Sequence, residues 1–209
     1  LVEASRTDLT EAQKLYAHKG PPTKDFVKFI KEFKPTILIG VSTKAGAFNQ
    51  QVVEAMSQLN ERPVIFALSN PTTKAECTAE QAYTWSKGKA LFAAGVQFDD
   101  VEFEGKIYRP GQANNFYIYP AIGLATYVAR PRRLTDECFI VAAHATADQV
   151  GPALCAKGML YPSQDQILET EVTTATRIVE YMFDAGLAQV ERPRDIRAWI
   201  EGQLYKPHY

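Results

Sequence analysis

"RPVIFALSNPTTKAECTAEQ", Arg62 to Gln81, is the stretch on which the fold turns. Val64 to Ser69 is a short run with a purely apolar body and a closing serine. Without polar alternation, such a run is the pattern of a strand buried on both faces. It ends on Ser69-Asn70-Pro71-Thr72 and not on a tight Gly or Asp turn. Thr78 and Gln81 then stand at capping-box spacing, which predicts a helix over about 79–86, closed by Lys87-Gly88.

Similar apolar runs flank it, Thr36 to Val41 in "KPTILIGV" and Ala90 to Gly95 in "ALFAAG". Helical spacing fills the intervals. Thr23 is placed to cap a helix carrying Phe26, Phe29, Ile30 and Phe33, and Val52, Val53, Met56 and Leu59 share one face over about 49–59. Asp8 with Glu11 opens a short helix nearer the start. The alternation of helices with strands that lack a polar face implies a parallel sheet covered on both sides. Val101–Phe103 and Ile107–Arg109, joined by Glu104-Gly105-Lys106, predict a hairpin flap. After "PGQANN" the pattern turns helical, near 116–129, 136–149, 166–185 and 193–204, with Pro193 in the last helix's first turn.

Composition narrows the function. The 209 residues carry a formal charge of −1, 46% hydrophobic and 22% charged residues. That balance gives no electrostatic footprint for nucleic acid or an anionic membrane, and no apolar run approaches a membrane span. Cys77, Cys138 and Cys155 form no paired spacing, and His18, His144 and His208 lie far apart. Neither a disulfide scaffold nor a zinc or His-rich metal site is expected, and the compartment reads as reduced and cytosol-like. The chain opens "LVEASRTDLTEAQ", with no initiator Met or signal-peptide layout, and reads as a piece beginning mid-protein.

In an open parallel sheet, ligands bind beyond the carboxyl ends of the strands. Three loops lie there: "GVSTKAG", "SNPTT" and "AGVQF". Gly40 and Gly46 permit close backbone approach to a ligand, but no GxGxxG fingerprint is present. Asn70 offers uncharged donors and an acceptor, and Pro71 holds it extended. An Asx-type turn accounts for Asn70 too, and on pattern alone is the plainer reading. Asn114-Asn115, before an apolar helix, either aims at an anion or supplies an N-cap at Asn115. Asp99, Asp100, Glu102 and Glu104 read as a solvated hairpin, Arg130 to Arg133 as the end of a helix, and Lys44 as a surface lysine.

"KPTILIGVSTKAGAF", "NERPVIFALSNPTTKAECTAEQAYTWSKGKALFAAG" and "PGQANNFYIYPAIGLA" resemble the carboxy-terminal half of malic enzyme, in order and spacing, and weaker similarity runs from "KGMLYPS" to the end. The resemblance implies an α/β fold: part of a Rossmann-like parallel sheet, then a mainly helical carboxy-terminal segment. Residues 1–113 would be the second half of an NAD(P)-binding domain, 114–186 a helical return segment, and 187–209 a terminal helix and tail. It also implies oxidative decarboxylation of L-malate to pyruvate and CO2, with NAD or NADP and Mg²⁺ or Mn²⁺. Asn70 and Asn114 would contact malate, with Asn70 also near the nicotinamide and Asn115 at the cofactor. Gly40, Val41, Ser42, Leu68 and Ser69 would pass along the dinucleotide.

In that chemistry a base removes the hydroxyl proton as hydride leaves C2, and the metal stabilises the enolate formed on decarboxylation. The family's base lysine, acid tyrosine and three acidic metal ligands belong upstream and match nothing here, so no catalytic or metal residue is assigned and the piece is expected to be inactive alone. "AGVQF" stands where the family usually has Gly-Ser-Pro-Phe, a change that bears on substrate handling, and "LYPS" replaces Tyr-Pro-Pro. "DDVEFEGKIY" with "GQANN" is also similar to malolactic enzymes, which make lactate from malate with bound NAD. A non-catalytic module that binds a dinucleotide or a dicarboxylate is the alternative of another class. Gln13 falls where NADP-preferring members often carry lysine, a lean toward NAD. The resemblance further implies a homodimer or homotetramer in the cytoplasm, with mitochondrion and plastid as alternatives.

Overall fold

The computed structural model of the chain describes residues 3–20 and 24–205. The three apolar runs form β1 (Ile37–Gly40), β2 (Val64–Ala67) and β3 (Leu91–Ala94), parallel and in register, with Ile37 opposite Val64 and Val64 opposite Leu91. An antiparallel flap follows, β4 (Val101–Phe103) with β5 (Lys106–Tyr108). β6 (Gly111–Gln112) then joins the sheet beside β3, giving the order β1-β2-β3-β6. Sequence pattern misses β6, because two residues with no apolar body carry no signal. Its place is set by pairing of Gly111 with Ala93 and Gln112 with Ala94.

The first helices are fixed by their caps. α1 (Glu11–Lys14) starts from a capping box between Thr10 and Gln13, while Asp8 instead pairs with Arg6 at 2.6 Å. α2 (Phe26–Phe33) is capped by Asp25, whose carboxylate accepts from the Lys28 N–H at 3.0 Å. The Thr23 cap expected from the sequence lies outside the described residues. Asn49 caps α3 (Gln50–Leu59), and the expected Thr78–Gln81 box opens α4 (Ala79–Trp85). Lys87 and Gly88, at φ 53° and 71°, turn the chain out of that helix.

These helices cover one face of the sheet. Leu38, Ile65, Ala67, Phe92 and Ala94 meet Ile30 of α2, Val52, Val53 and Met56 of α3, and Ala82 and Tyr83 of α4. Each large side chain removed from water there stabilises the fold by about 1.5–3 kcal/mol. The other face is unevenly covered. Ala93 is buried, whereas Ile37 and Ile39 on β1 are 51% and 57% exposed. The expectation of cover on both faces therefore fails along β1.

A 3₁₀ turn (Asn115–Tyr117) leads into the helical part. This comprises α5 (Tyr119–Ala129), α6 (Asp136–Ala147), α7 (Pro152–Ala156), α8 (Ile167–Asp184) and α9 (Ile196–Glu201). α8 runs through its middle, packing on α5, α6 and α9 with Val172, Ala175, Ile178, Val179 and Met182 buried. α7 adds to the helices expected from the sequence; it starts with Pro152 in the first turn, after Gly151. α9 begins later than the sequence suggests, because the Asp195 carboxylate caps the Ala198 N–H at 2.9 Å and leaves Pro193 ahead of the helix. No helix among the described residues is long and apolar enough to cross a membrane.

Candidate functional site

Parallel strands end on the same edge, and here that edge is held by backbone bonds beyond the regular ladder. Leu68 N–H donates to Gly40 O at 2.9 Å, Gly95 N–H to Ala67 O at 3.1 Å, and Ala113 N–H to Ala94 O at 2.8 Å. Val41-Ser42, Ser69-Asn70, Val96 and Asn114-Asn115 thus continue side by side past the carboxyl edge. Loops read from separate stretches of sequence form one crest.

Asn70 is exposed, and its side chain makes no hydrogen bond among the described residues. An Asx turn needs its Oδ1 to accept a backbone N–H two residues on. That bond is not made, so the turn reading does not describe this asparagine. The Asn70–Pro71 bond is cis, and a 3₁₀ turn at Thr72–Lys74 separates it from α4. Gly95 presses on the same loop: a Cβ there would lie 2.3 Å from Leu68 O and 3.1 Å from Asn70 Oδ1. Sequence pattern shows neither the Gly95 contact nor its reach to Asn70.

Asn114, and not Asn115, supplies the cap, its Oδ1 accepting from Phe116 N–H at 3.1 Å. The Asn114 amide nitrogen and one acceptor site of its Oδ1 are left for a ligand, whereas Asn115 is exposed and its side chain bonds none of the described residues. Leu68, Asn114 and Asn115 line one cavity of about 610 Å³, with Phe66, Tyr117 and Tyr161. Asn70 is not among its lining residues.

The remaining candidates gather around a residue that sequence pattern does not single out. Glu76 is fully buried. Its Oε1 accepts from Ser69 Oγ–H at 2.5 Å, Ser42 N–H at 3.1 Å and Ser42 Oγ–H at 3.2 Å, and its Oε2 from Ser69 N–H at 3.3 Å. Ser69 Oγ in turn accepts from Thr43 N–H at 2.9 Å. Burial pushes the Glu76 carboxyl up, but the hydrogen bonds from Ser69, its own backbone and Ser42 together outweigh it and hold the group below its ordinary 4.5. Gly40 owes its identity to the same packing. A Cβ there would stand 2.6 Å from Glu76 and 2.8 Å from Phe48, so its bareness makes room for internal side chains. Val41 beside it is 72% exposed. The one hint in the sequence is a lone acid between Ala75 and Cys77 in a stretch outside any helix.

Gln13 is bound within its capping box, and Lys14 pairs with Glu11 at 2.6 Å. No group of three or more His, Cys, Asp or Glu among the described residues is arranged to hold a metal ion.

Residues 1–183 match the family model described as "Malic enzyme, NAD binding domain". The chain is 45% identical over 210 residues to NADP-dependent malic enzyme 1 of Arabidopsis thaliana, and 42% identical over 211 residues to a chloroplastic NADP-dependent malic enzyme of Flaveria trinervia. Both alignments take in all of this chain but only 36% and 33% of those proteins, so it spans about a third of their length. Among solved structures, malic enzyme from Entamoeba histolytica shares the fold with a TM-score of 0.70 at 19% identity, over 96% of this chain and 39% of that one. The malic enzyme of Pyrococcus horikoshii Ot3 aligns with a TM-score of 0.58 at 26% identity, over 80% of this chain and 34% of that one.

Proposed function

The chain belongs to the malic enzyme family, whose NAD-binding domain it matches, and from that premise we propose that the protein carrying it oxidatively decarboxylates L-malate to pyruvate and CO2. In this reading Gly40, Val41, Ser42, Leu68 and Ser69 run along the bound dinucleotide, and Asn115 meets it beside the cavity. Asn70 and Asn114 hold malate, with Asn70 also near the nicotinamide. The dinucleotide supplies the hydride acceptor when bound. The chain's own part is to hold and orient the substrate. Uncharged amides suit that task, since they bond a carboxylate and a hydroxyl without competing for a divalent cation. The observation that carries the reading is the exposed Asn70 amide, with no side-chain partner among the described residues, at the carboxyl edge of a parallel sheet.

The base, the acid and the ligands of Mg²⁺ or Mn²⁺ are assigned to residues outside this chain, which alone is proposed to be inactive. The relatives' names favour NADP, whereas Gln13 leans the reading to NAD. The protein is further proposed to be a cytoplasmic homodimer or homotetramer. Tyr119, Tyr127, Phe139 and Ile140, exposed on α5 and α6, support an apolar face that is covered in the assembly.

The test is a product assay on the intact protein with malate, Mn²⁺ and each nucleotide in turn. Pyruvate with stoichiometric reduced nucleotide is expected, and the faster nucleotide decides between NAD and NADP. Lactate without net reduction would replace this reading with the malolactic one. Absence of any product would leave a binding module.

A further inference from the structure

We propose that Glu76 is a positioning residue: its carboxylate ties the Ser42–Thr43 loop to the Ser69–Asn70 turn, so that two rims of the site act as one rigid piece. The inference rests on the reading of this crest as the dinucleotide and malate site.

Both Ser42 and Ser69 present an N–H and an O–H to Glu76. Four donors converge on its two oxygens, three at Oε1 and one at Oε2, an acceptor-only pattern that suits an ionised carboxylate. No cation among the described residues is paired with it. The charge is held by oriented dipoles, those of Ser42 and Ser69 on two loops of the crest and that of its own backbone N–H. The Thr43 N–H extends the chain, because the Ser69 hydroxyl that donates to Glu76 accepts from Thr43. The backbone of the Glu76 segment repeats the connection: Phe48 N–H donates to Glu76 O at 3.0 Å and Gly46 N–H to Ala75 O at 3.2 Å. The loop after β1 is therefore docked on Glu76 by main chain and side chain together. Asn70 follows directly on Ser69, so the placement of its amide depends on the same carboxylate. Gly40 completes the arrangement by leaving the space that Glu76 fills.

Two substitutions separate charge and donor pattern from bulk. Glu76→Gln keeps the volume but turns an amide N–H toward serine N–H or O–H donors. Ser69→Ala removes the link between Thr43 and Glu76 without altering the acid. Each is made in the intact protein and read by amide hydrogen exchange and by steady-state kinetics below the thermal transition. Exchange in the Ser42–Thr43 and Ser69–Asn70 segments is expected to rise about tenfold, with α8 unchanged. Malate KM and the dinucleotide Kd are expected to rise together, with kcat/KM for malate falling about 10- to 100-fold. A carboxylate that merely adds stability would lower Tm and leave both exchange and kinetics of the folded enzyme unaltered; that result overturns the proposal. If Glu76→Gln does not fold, Ser69→Ala decides the question by exchange at Ser42–Thr43, a readout that does not depend on contact between Ser69 and the dinucleotide. Wild type that fails to use malate would overturn the functional reading, while the exchange experiment would still judge Glu76.

Discussion

Gly95→Ala should damage the site through a single methyl group. Gly95 has no left-handed φ, so alanine adopts its backbone conformation without strain and the whole effect lies in contact. The new Cβ would stand 2.3 Å from Leu68 O and 2.9 Å from Leu68 C. Both are main-chain atoms held in the sheet, since Leu68 N–H bonds Gly40 O and Gly95 N–H bonds Ala67 O. Restoring an ordinary contact of 3.4 Å moves one loop against the other by about 1 Å. Overpacking on that scale costs about 2–3 kcal/mol, which for a chain of this size lowers Tm by roughly 4–12 °C. Because the displaced segment carries Asn70, kcat/KM for malate should fall by about 100-fold. Gly151→Ala is the control. Its φ is −65° and nothing lies within 4 Å of the added Cβ, so Tm and kcat/KM should stay near wild type. Differential scanning calorimetry and malate kinetics on both variants supply the comparison. A Gly95→Ala protein with wild-type Tm and kcat/KM would refute the contact argument.

Asn114→Ala in the intact protein should lower kcat/KM for malate, and loss of its cap on Phe116 should cost about 1 kcal/mol of stability. Unchanged kinetics with reduced stability would confine Asn114 to capping. The Glu76 carboxyl sits below its ordinary 4.5, so its stabilising contribution is complete above about pH 4.5 and is lost as pH falls through the lower folded value. Denaturant titration should therefore show wild type exceeding Glu76→Gln at about pH 7, with the gap narrowing below about pH 4.5; a constant gap would contradict the assignment of charge. Cys77 and Cys138 are buried and Cys155 is exposed, and burial beside Glu76 pushes the Cys77 thiol up to about 12. An aromatic disulfide reagent at neutral pH should titrate one thiol in the native chain and three in denaturant; rapid labelling of Cys77 would show the crest to be open.

The elements legible in the sequence are those in which one stretch contains its own cause. Val64 to Ala67 is an apolar run between breakers, and Thr78 with Gln81 closes a capping box on itself. β6 is illegible because its partner β3 decides it, and α9 reads too early because the Asp195 cap outranks the proline signal. The same division runs through the site. Asn70 stands out, since an asparagine before proline at the end of a buried strand is locally odd. Which asparagine of the pair caps the 3₁₀ turn, and what Gly40 makes room for, depend on contacts across the fold. Glu76 escapes notice for that reason: its partners, Ser42 and Ser69, stand 34 and 7 residues away.

The bonds from Ser42 to Glu76 and from Thr43 to Ser69, spanning 34 and 26 positions, also decide how portable the site is. A loop graft that moves "LSNPT" onto another parallel sheet would carry the asparagine and leave its support behind. The smallest transplantable unit is the pair of adjoining strand ends with the buried acid between them, and a protein engineer would have to move all three.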